Sequence, residues 1–218
     1  MVRKSPDFLK FMSNDVRYFS RLYFKLSTVD KMYEFTQEWF ESSEIKKFLI
    51  QIYGIRSEHH ILEIGSYEGG SACFFSDVFL NHPNSSLFCV DPFSLEDTTS
   101  PLSTETEIRF RANIVKSKHP SKVVHFRMTS KEFFMHNTMK FDLIYIDGSH
   151  LLEDITIDFY NSLQIAQPGC IIWMDDYAGG PAGVIQQHID SLIEANKDRV
   201  SIIFVGYQIA LRVVGINT

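Results

Sequence analysis

Two adjacent aspartates, Asp175 and Asp176, end the apolar run of IIWMDDY, and a third, Asp147, ends that of LIYIDGSH. Carboxylates this close repel one another and lose hydration when covered, so they belong either in turns open to water or around a cation. Three oxygen donors without a His or Cys cluster suit a hard divalent ion such as Mg2+ rather than zinc. His150 stands three residues beyond Asp147, and an imidazole there could accept the proton of a reacting hydroxyl; the plainer reading is a helix-start residue bonded to backbone. Two further acids close apolar runs: Glu63 in LEIGSYEGGSACFF and Asp91 in LFCVD. After Glu63, the glycines at 65, 69 and 70 allow backbone to approach a ligand where helix amides point outward. A strand-end acid such as Asp91 accepts hydrogen bonds from ribose hydroxyls in nucleotide-binding α/β folds, or simply forms a turn.

To bring these residues together, their strands must end along one edge. Short runs rich in β-branched and aromatic residues predict strands at 60–64, 87–91, 123–127, 142–146 and 170–174. Alternation with helical stretches predicts a parallel, doubly wound sheet with helices on both faces. Leu152, Ile155, Phe159 and Leu163 repeat at helical spacing before QPG, a stop signal, and Ile185, Ile189 and Leu192 mark the next helix. The last two runs, around Gly206 and Tyr207, are too close for a crossover and must pair antiparallel.

At 218 residues, 44% of them hydrophobic, the chain has enough apolar content for one large core and is not disordered. A net charge of −6 repels polyanions and disfavours nucleic acid as a partner. The three cysteines lie in apolar runs without metal or redox spacing, as expected of reduced core thiols in a cytoplasmic protein. The sequence shows neither a signal peptide nor a membrane span.

A parallel sheet closed by an antiparallel hairpin, with E-x-G-x-x-x-G at Glu63, Gly65 and Gly69, resembles the class I S-adenosylmethionine-dependent methyltransferases. The dinucleotide fingerprint would need glycine at 67, where Tyr67 stands. LEIGSYEGGSA and IDGSH…PGCIIWMDDY look like the O-methyltransferase branch, similar to catechol O-methyltransferase and to the macrolide-sugar and cephalosporin-type enzymes. The resemblance spans about residues 58 to 215. It implies a Rossmann-like, mostly parallel seven-stranded sheet and S-adenosylmethionine as cofactor. Glu63 would face the cofactor's ammonium end. Gly65, Ser66, Tyr67, Gly69 and Ser71 would surround its methionine portion, Asp91 would hold the ribose, and Thr129 and Ser130 in MTSKEF would meet the adenine edge, with Asp147 alongside. It further implies that Asp147, Asp175 and Asp176 hold Mg2+, and that His150, standing where catechol O-methyltransferase has its lysine base, is catalytic together with Asp147. Asp176 replaces an asparagine ligand of the catechol enzyme.

Residues 1–45 are expected to form a helical cap or interaction segment, or a homodimer face, ahead of a methyltransferase domain at 46–218. The leader interleaves aromatic and basic residues from Phe8 to Lys25. The acidic, Ser/Thr-rich stretch 92–108 reads as a surface loop or a lid. The leading expectation is Mg2+-assisted methyl transfer to a hydroxyl of a small molecule or sugar. The alternatives are a metal-independent methyltransferase acting on nitrogen or a macromolecule, and a non-catalytic cofactor-binding module.

Overall fold

Alternating apolar runs and amphipathic stretches fold into a seven-stranded sheet of order β3-β2-β1-β4-β5-β7-β6. The structure, a computed structural model, describes residues 33–40, 43–53, 57–93 and 102–214. The chain divides into two compact units, residues 1–35 and 36–218. The aromatic-basic stretch from Phe8 to Lys25 lies outside the described residues, and so do 94–101 of the expected lid.

The strands are β1 (His60–Ile64), β2 (Ser86–Val90), β3 (Val123–Phe126), β4 (Phe141–Ile146), β5 (Ala166–Met174), β6 (Val200–Val205) and β7 (Ile209–Val213). The first five pair in parallel, while β7 runs antiparallel to both β5 and β6. The expected doubly wound sheet with a C-terminal hairpin is therefore present, each strand within a few residues of its sequence position. The described helices are α1 (Ser43–Tyr53), α2 (Gly70–Phe79), α3 (Leu102–Lys116), α4 (Ser130–His136), α5 (Leu152–Ile165) and α6 (Val184–Ala195). None is long and apolar enough to cross a membrane.

Two sequence expectations change. The stretch 92–108 is not one long loop, because α3 begins at Leu102, directly after Pro101, a residue favoured where a helix starts. α5 ends at Ile165, just before the QPG stop signal, as expected, but β5 begins at Ala166 rather than 170 and takes QPG in, its pairing with β4 slipping between Phe141 and Leu143. Gly169 takes a φ of +82° there, where the strand bulges.

The sheet has two chemically different faces because side chains alternate along each strand. One face presents Leu62, Ile64, Ile144, Ile146, Ile172 and Met174 to Ile155 and Phe159 of α5 and Ile185 and Ile189 of α6, all buried in one cluster. On the other face the register sets Cys89, Glu63, Tyr145 and Trp173 side by side on four neighbouring strands. Phe75 of α2 packs edge-on to Tyr145, and Phe48 of α1 packs on Trp173 and Phe204. The indole nitrogen of Trp173 donates to Gln208 Oε1 at 2.9 Å. A row of buried polar groups thus runs beneath the carboxyl edge of the sheet.

Candidate active site at the carboxyl edge of the sheet

Each central strand hands its last residue to the next by one backbone bond. Gly65 N donates to Val90 O, Asp91 N to Phe126 O, Asp147 N to Ile64 O and Asp175 N to Ile146 O, at 2.8–3.1 Å. This ladder levels the strand ends, which is why acids so far apart in sequence meet at one edge, where open α/β sheets bind ligands.

Glu63 is fully buried. Its Oε2 accepts the Ser66 hydroxyl at 2.5 Å, and Oε1 has no hydrogen-bond partner among the described residues. Desolvation raises its pKa to about 7, against the opposing pull of the Ser66 and Ser71 hydroxyls and the Cys89 thiol. A buried carboxyl with one idle oxygen is a costly arrangement, relieved by a cationic ligand group. Above it the turn is shaped by backbone geometry. Gly65 and Gly69 have φ of +82° and +87°, and Tyr67 itself has +46°. α2 begins at Gly69 without a side-chain cap, so its first-turn amides remain donors for a ligand carboxylate.

Asp91 is already engaged in this turn. Its Oδ2 accepts the amides of Ser66 and Tyr67 at 2.8 and 2.9 Å, and its Oδ1 accepts that of Phe93 at 2.6 Å. With two acceptor sites on each oxygen, Oδ1 keeps room for one further donor such as a ribose hydroxyl. Thr129 caps α4: its hydroxyl accepts from Glu132 N while Glu132 Oε2 accepts Thr129 N. Asp158, a buried acid of α5, has its pKa raised to about 6 by burial, with the Ser130 hydroxyl opposing the rise. Of the hydroxyls assigned to the adenine edge, that of Thr129 therefore already has a structural partner.

The aspartates line a small cleft, open to solvent, between the β4 and β5 ends and α6. Asp147 is held well above the usual carboxylate range, first by burial and then by the charges of Asp175, Asp176 and Glu63. His150 Nε2 stands 2.7 Å from Asp176 Oδ2. Candidate ligand atoms of Asp147, His150 and Asp176 lie within 4.8 Å of one another. Asp175 turns elsewhere: its Oδ2 accepts the Tyr145 hydroxyl at 2.5 Å and its Oδ1 accepts the Asp176 amide at 2.7 Å. The Tyr207 hydroxyl donates to Asp176 Oδ1 from the β6–β7 turn.

Several participants carried no sequence signal. Tyr145 reads as one more core aromatic, and Tyr207 as a turn residue. Glu68 is buried inside the glycine turn, where its carboxylate accepts Thr36 N and Oγ1 at 2.5 and 2.8 Å and pairs with Arg109 at 3.3 Å. The segment this anchors lies over the turn. Trp39, 69% exposed, stacks on Tyr67 at 4.5 Å, and Phe40 meets Phe74, Phe75 and Tyr145.

Known proteins share this architecture. The O-methyltransferase TomG from Streptomyces achromogenes, involved in tomaymycin synthesis and solved with SAM, superposes with a TM-score of 0.60 at 18% identity, covering 79% of this chain and 80% of TomG. Cofactor-bound Rv0187 from MTB gives 0.60 at 17%, covering 98% and 99%. The O-methyltransferase from Bacillus cereus, in complex with SAH, gives 0.58 at 20%, covering 80% and 82%. At such identities the likeness is one of fold. No curated protein matches in sequence. A family described as a methyltransferase domain matches residues 62–177. That stretch is more than half of the 218 residues and holds the glycine turn and all the strand-end aspartates, so the chain belongs to the methyltransferase-domain family.

Proposed function

We propose that the protein transfers a methyl group from S-adenosylmethionine to a hydroxyl oxygen of a small molecule or sugar, assisted by a divalent cation. The observation that carries the reading is Glu63, a buried carboxyl with Oε1 unpartnered beneath an uncapped helix start. The cofactor's methionine end offers an ammonium for the first and a carboxylate for the second. The surrounding acids favour its sulfonium charge, and Asp91 Oδ1 retains one acceptor site for ribose.

Asp147 and Asp176 suit the second part of the reading. Methyl transfer to oxygen is an in-line displacement requiring aligned reactants and an ionising hydroxyl. Bound between these carboxylates, a divalent cation would supply a lowered pKa for that hydroxyl. The protein's own part is positional: Gly65 lets the Asp147 backbone close against the cofactor turn, and Tyr207 orients Asp176. O-methyl transfer in the TomG and Bacillus cereus enzymes supports oxygen as the acceptor atom.

Calorimetry with S-adenosylhomocysteine, followed by assays on phenol, catechol and sugar acceptors with added Mg2+ or Mn2+, tests the reading. Micromolar binding and metal-stimulated transfer are expected. Failure to bind the cofactor product would sink it.

A further inference from the structure

Asp158 is a buried acid that neither the cofactor turn nor the cleft uses. It lies on α5, 2% exposed, and its Oδ1 has no hydrogen-bond partner among the described residues. It sits beneath the adenine edge that the resemblance assigns to Thr129 and Ser130. A Cβ atom placed on Gly148 would lie 3.8 Å from Asp158 Oδ2 and 3.3 Å from Ile64 Cγ2. The carboxyl therefore reaches the β4–α5 turn where that turn packs on the strand leading to Gly65. On its other side is the start of α4, where the Ser130 hydroxyl is close enough to oppose the effect of burial on Asp158, whose pKa rises only to about 6. At neutral pH the group is a carboxylate, which accepts hydrogen bonds and does not donate.

The two hydroxyls at the start of α4 are not equivalent. That of Thr129 donates to Glu132 Oε2 at 2.8 Å and accepts Glu132 N at 3.2 Å, so it is spent on the cap. That of Ser130, the half-buried first residue of α4, faces Asp158 instead. A serine oxygen donates one hydrogen and accepts two. Once its hydrogen is committed to a carboxylate, it meets a ligand as an acceptor alone.

We propose that Asp158 is a positioning residue that takes the Ser130 hydrogen, so that the Ser130 oxygen accepts the exocyclic amine of adenine and the pair selects an adenosyl cofactor over its deaminated, inosyl counterpart. The inference rests on the S-adenosylmethionine reading above and deepens it at the base end of the site. Adenine presents N–H where hypoxanthine presents a carbonyl oxygen. An oxygen that can only accept pairs with the first and sets lone pair against lone pair with the second, a mismatch worth about tenfold or more in affinity. Asparagine at 158 brings hydrogens of its own, so the Ser130 hydroxyl can rotate and donate to the carbonyl.

Calorimetry on the full-length protein with S-adenosylhomocysteine and with S-inosylhomocysteine tests the assignment, because a general loss of stability weakens both ligands and cancels from their ratio. We expect the parent to prefer the adenosyl ligand by about tenfold or more, and this ratio to shrink by about tenfold in Asp158→Asn and in Ser130→Ala. In Asp158→Asn the change should include tighter binding of S-inosylhomocysteine, which a merely structural role would not produce. In Ser130→Ala it should come from weaker binding of S-adenosylhomocysteine. An unchanged ratio in Asp158→Asn, or a ratio lost there and kept in Ser130→Ala, would overturn the inference while leaving cofactor binding intact. A parent protein that does not bind S-adenosylhomocysteine would overturn both. Asp158→Asn is isosteric and removes a buried charge, so a folded variant is expected.

Discussion

A Cβ atom placed on Gly65 would lie 1.8 Å from the carbonyl oxygen of Asp147. The glycine that opens the cofactor turn is therefore also the seat of the loop carrying the first cleft aspartate, and the two halves of the site share one backbone contact. With φ at +82°, Gly65 faces both a steric and a conformational barrier to substitution.

Gly65→Ala should cost about 3 kcal/mol or more, the sum of overpacking against rigid backbone and a left-handed alanine. For a chain of this size that corresponds to a melting temperature lower by about 6 °C or more. Gly169→Ala is the control: it shares the φ of +82° but has nothing within 4 Å, so only the conformational penalty of about 1 kcal/mol remains. Equal shifts in the two variants would mean that the Asp147 loop yields.

With Glu63 as the proposed seat of the cofactor's ammonium, cofactor binding is expected to depend on pH. The carboxyl's folded pKa of about 7 lies above the usual 4.5 of a free glutamate. The folded state thus keeps a proton that the unfolded chain releases, and the group's contribution to stability falls as pH rises from about 4.5 to about 7. A bound ammonium favours the ionised form, so binding at acidic pH must expel the proton. S-adenosylhomocysteine affinity should rise by roughly tenfold or more between about pH 5.5 and about pH 7.5, with proton release measurable by calorimetry in buffers of different ionisation enthalpy. Glu63→Gln should bind weakly with a flat profile; a steep profile in that variant would assign the proton elsewhere.

The sequence offers Asp91 as a ribose acceptor or as a turn former. The structure gives it a prior duty to the amides of Ser66, Tyr67 and Phe93. Asp91→Ala should therefore lower stability by about 2 kcal/mol or more, through amides left without a charged acceptor, as well as weaken cofactor binding. Loss of binding with unchanged thermal stability would show that the amides find water and that the ribose contact dominates.

How far the sequence could be read depended on whether a residue's partners were local. The strands, the hairpin and the acids at their ends were legible, because alternation and strand-end chemistry are short-range patterns. Asp91 was legible as an acid at the right place, but its partners sit in a turn some two dozen residues earlier. Tyr145 and Trp173 looked like core because they are core; their polar ends gain meaning from the register that aligns them with Glu63. Glu68 is invisible as an anchor, since Thr36 and Arg109 reach it from 32 residues before and 41 after. The helix start at Leu102 was hidden by a Ser/Thr-rich composition shared by loops and first turns.

The segment anchored by Glu68 offers an optical readout. The chain has two tryptophans; Trp173 is fully buried, while Trp39 is largely exposed and stacked on Tyr67. Cofactor entering the turn should perturb that stack, so S-adenosylhomocysteine should change intrinsic fluorescence in the parent protein and not in Trp39→Phe. Glu68→Ala leaves two Thr36 donors without their acceptor, while Arg109 keeps its pair with Glu105; it should cost about 1–2 kcal/mol and shift the Trp39 emission before any ligand is added. Unchanged emission would place the segment's stability in its aromatic contacts alone.

Removal of metal separates the two uses the cleft carboxylates can have. If a cation supplies the lowered hydroxyl pKa, chelator-treated protein should lose methyl transfer to a phenolic acceptor yet bind S-adenosylhomocysteine normally, because Glu63 and the glycine turn do not depend on the cleft. Mn2+ should restore the rate. Asp147→Asn and Asp176→Asn should each lower kcat by about a hundredfold or more, the scale expected when activation of the attacking hydroxyl is lost. Asp176→Asn should keep its S-adenosylhomocysteine affinity close to that of the parent, since it touches neither Glu63, Ser66 nor Asp91, whereas Asp147→Asn, beside the glycine turn, should alter both rate and affinity. Full turnover in excess chelator would show that Asp147 and Asp176 meet the acceptor hydroxyl directly. The pair of His150 and Asp176, 2.7 Å apart, would then be the group that takes its proton, and His150→Ala rather than chelation would abolish the rate.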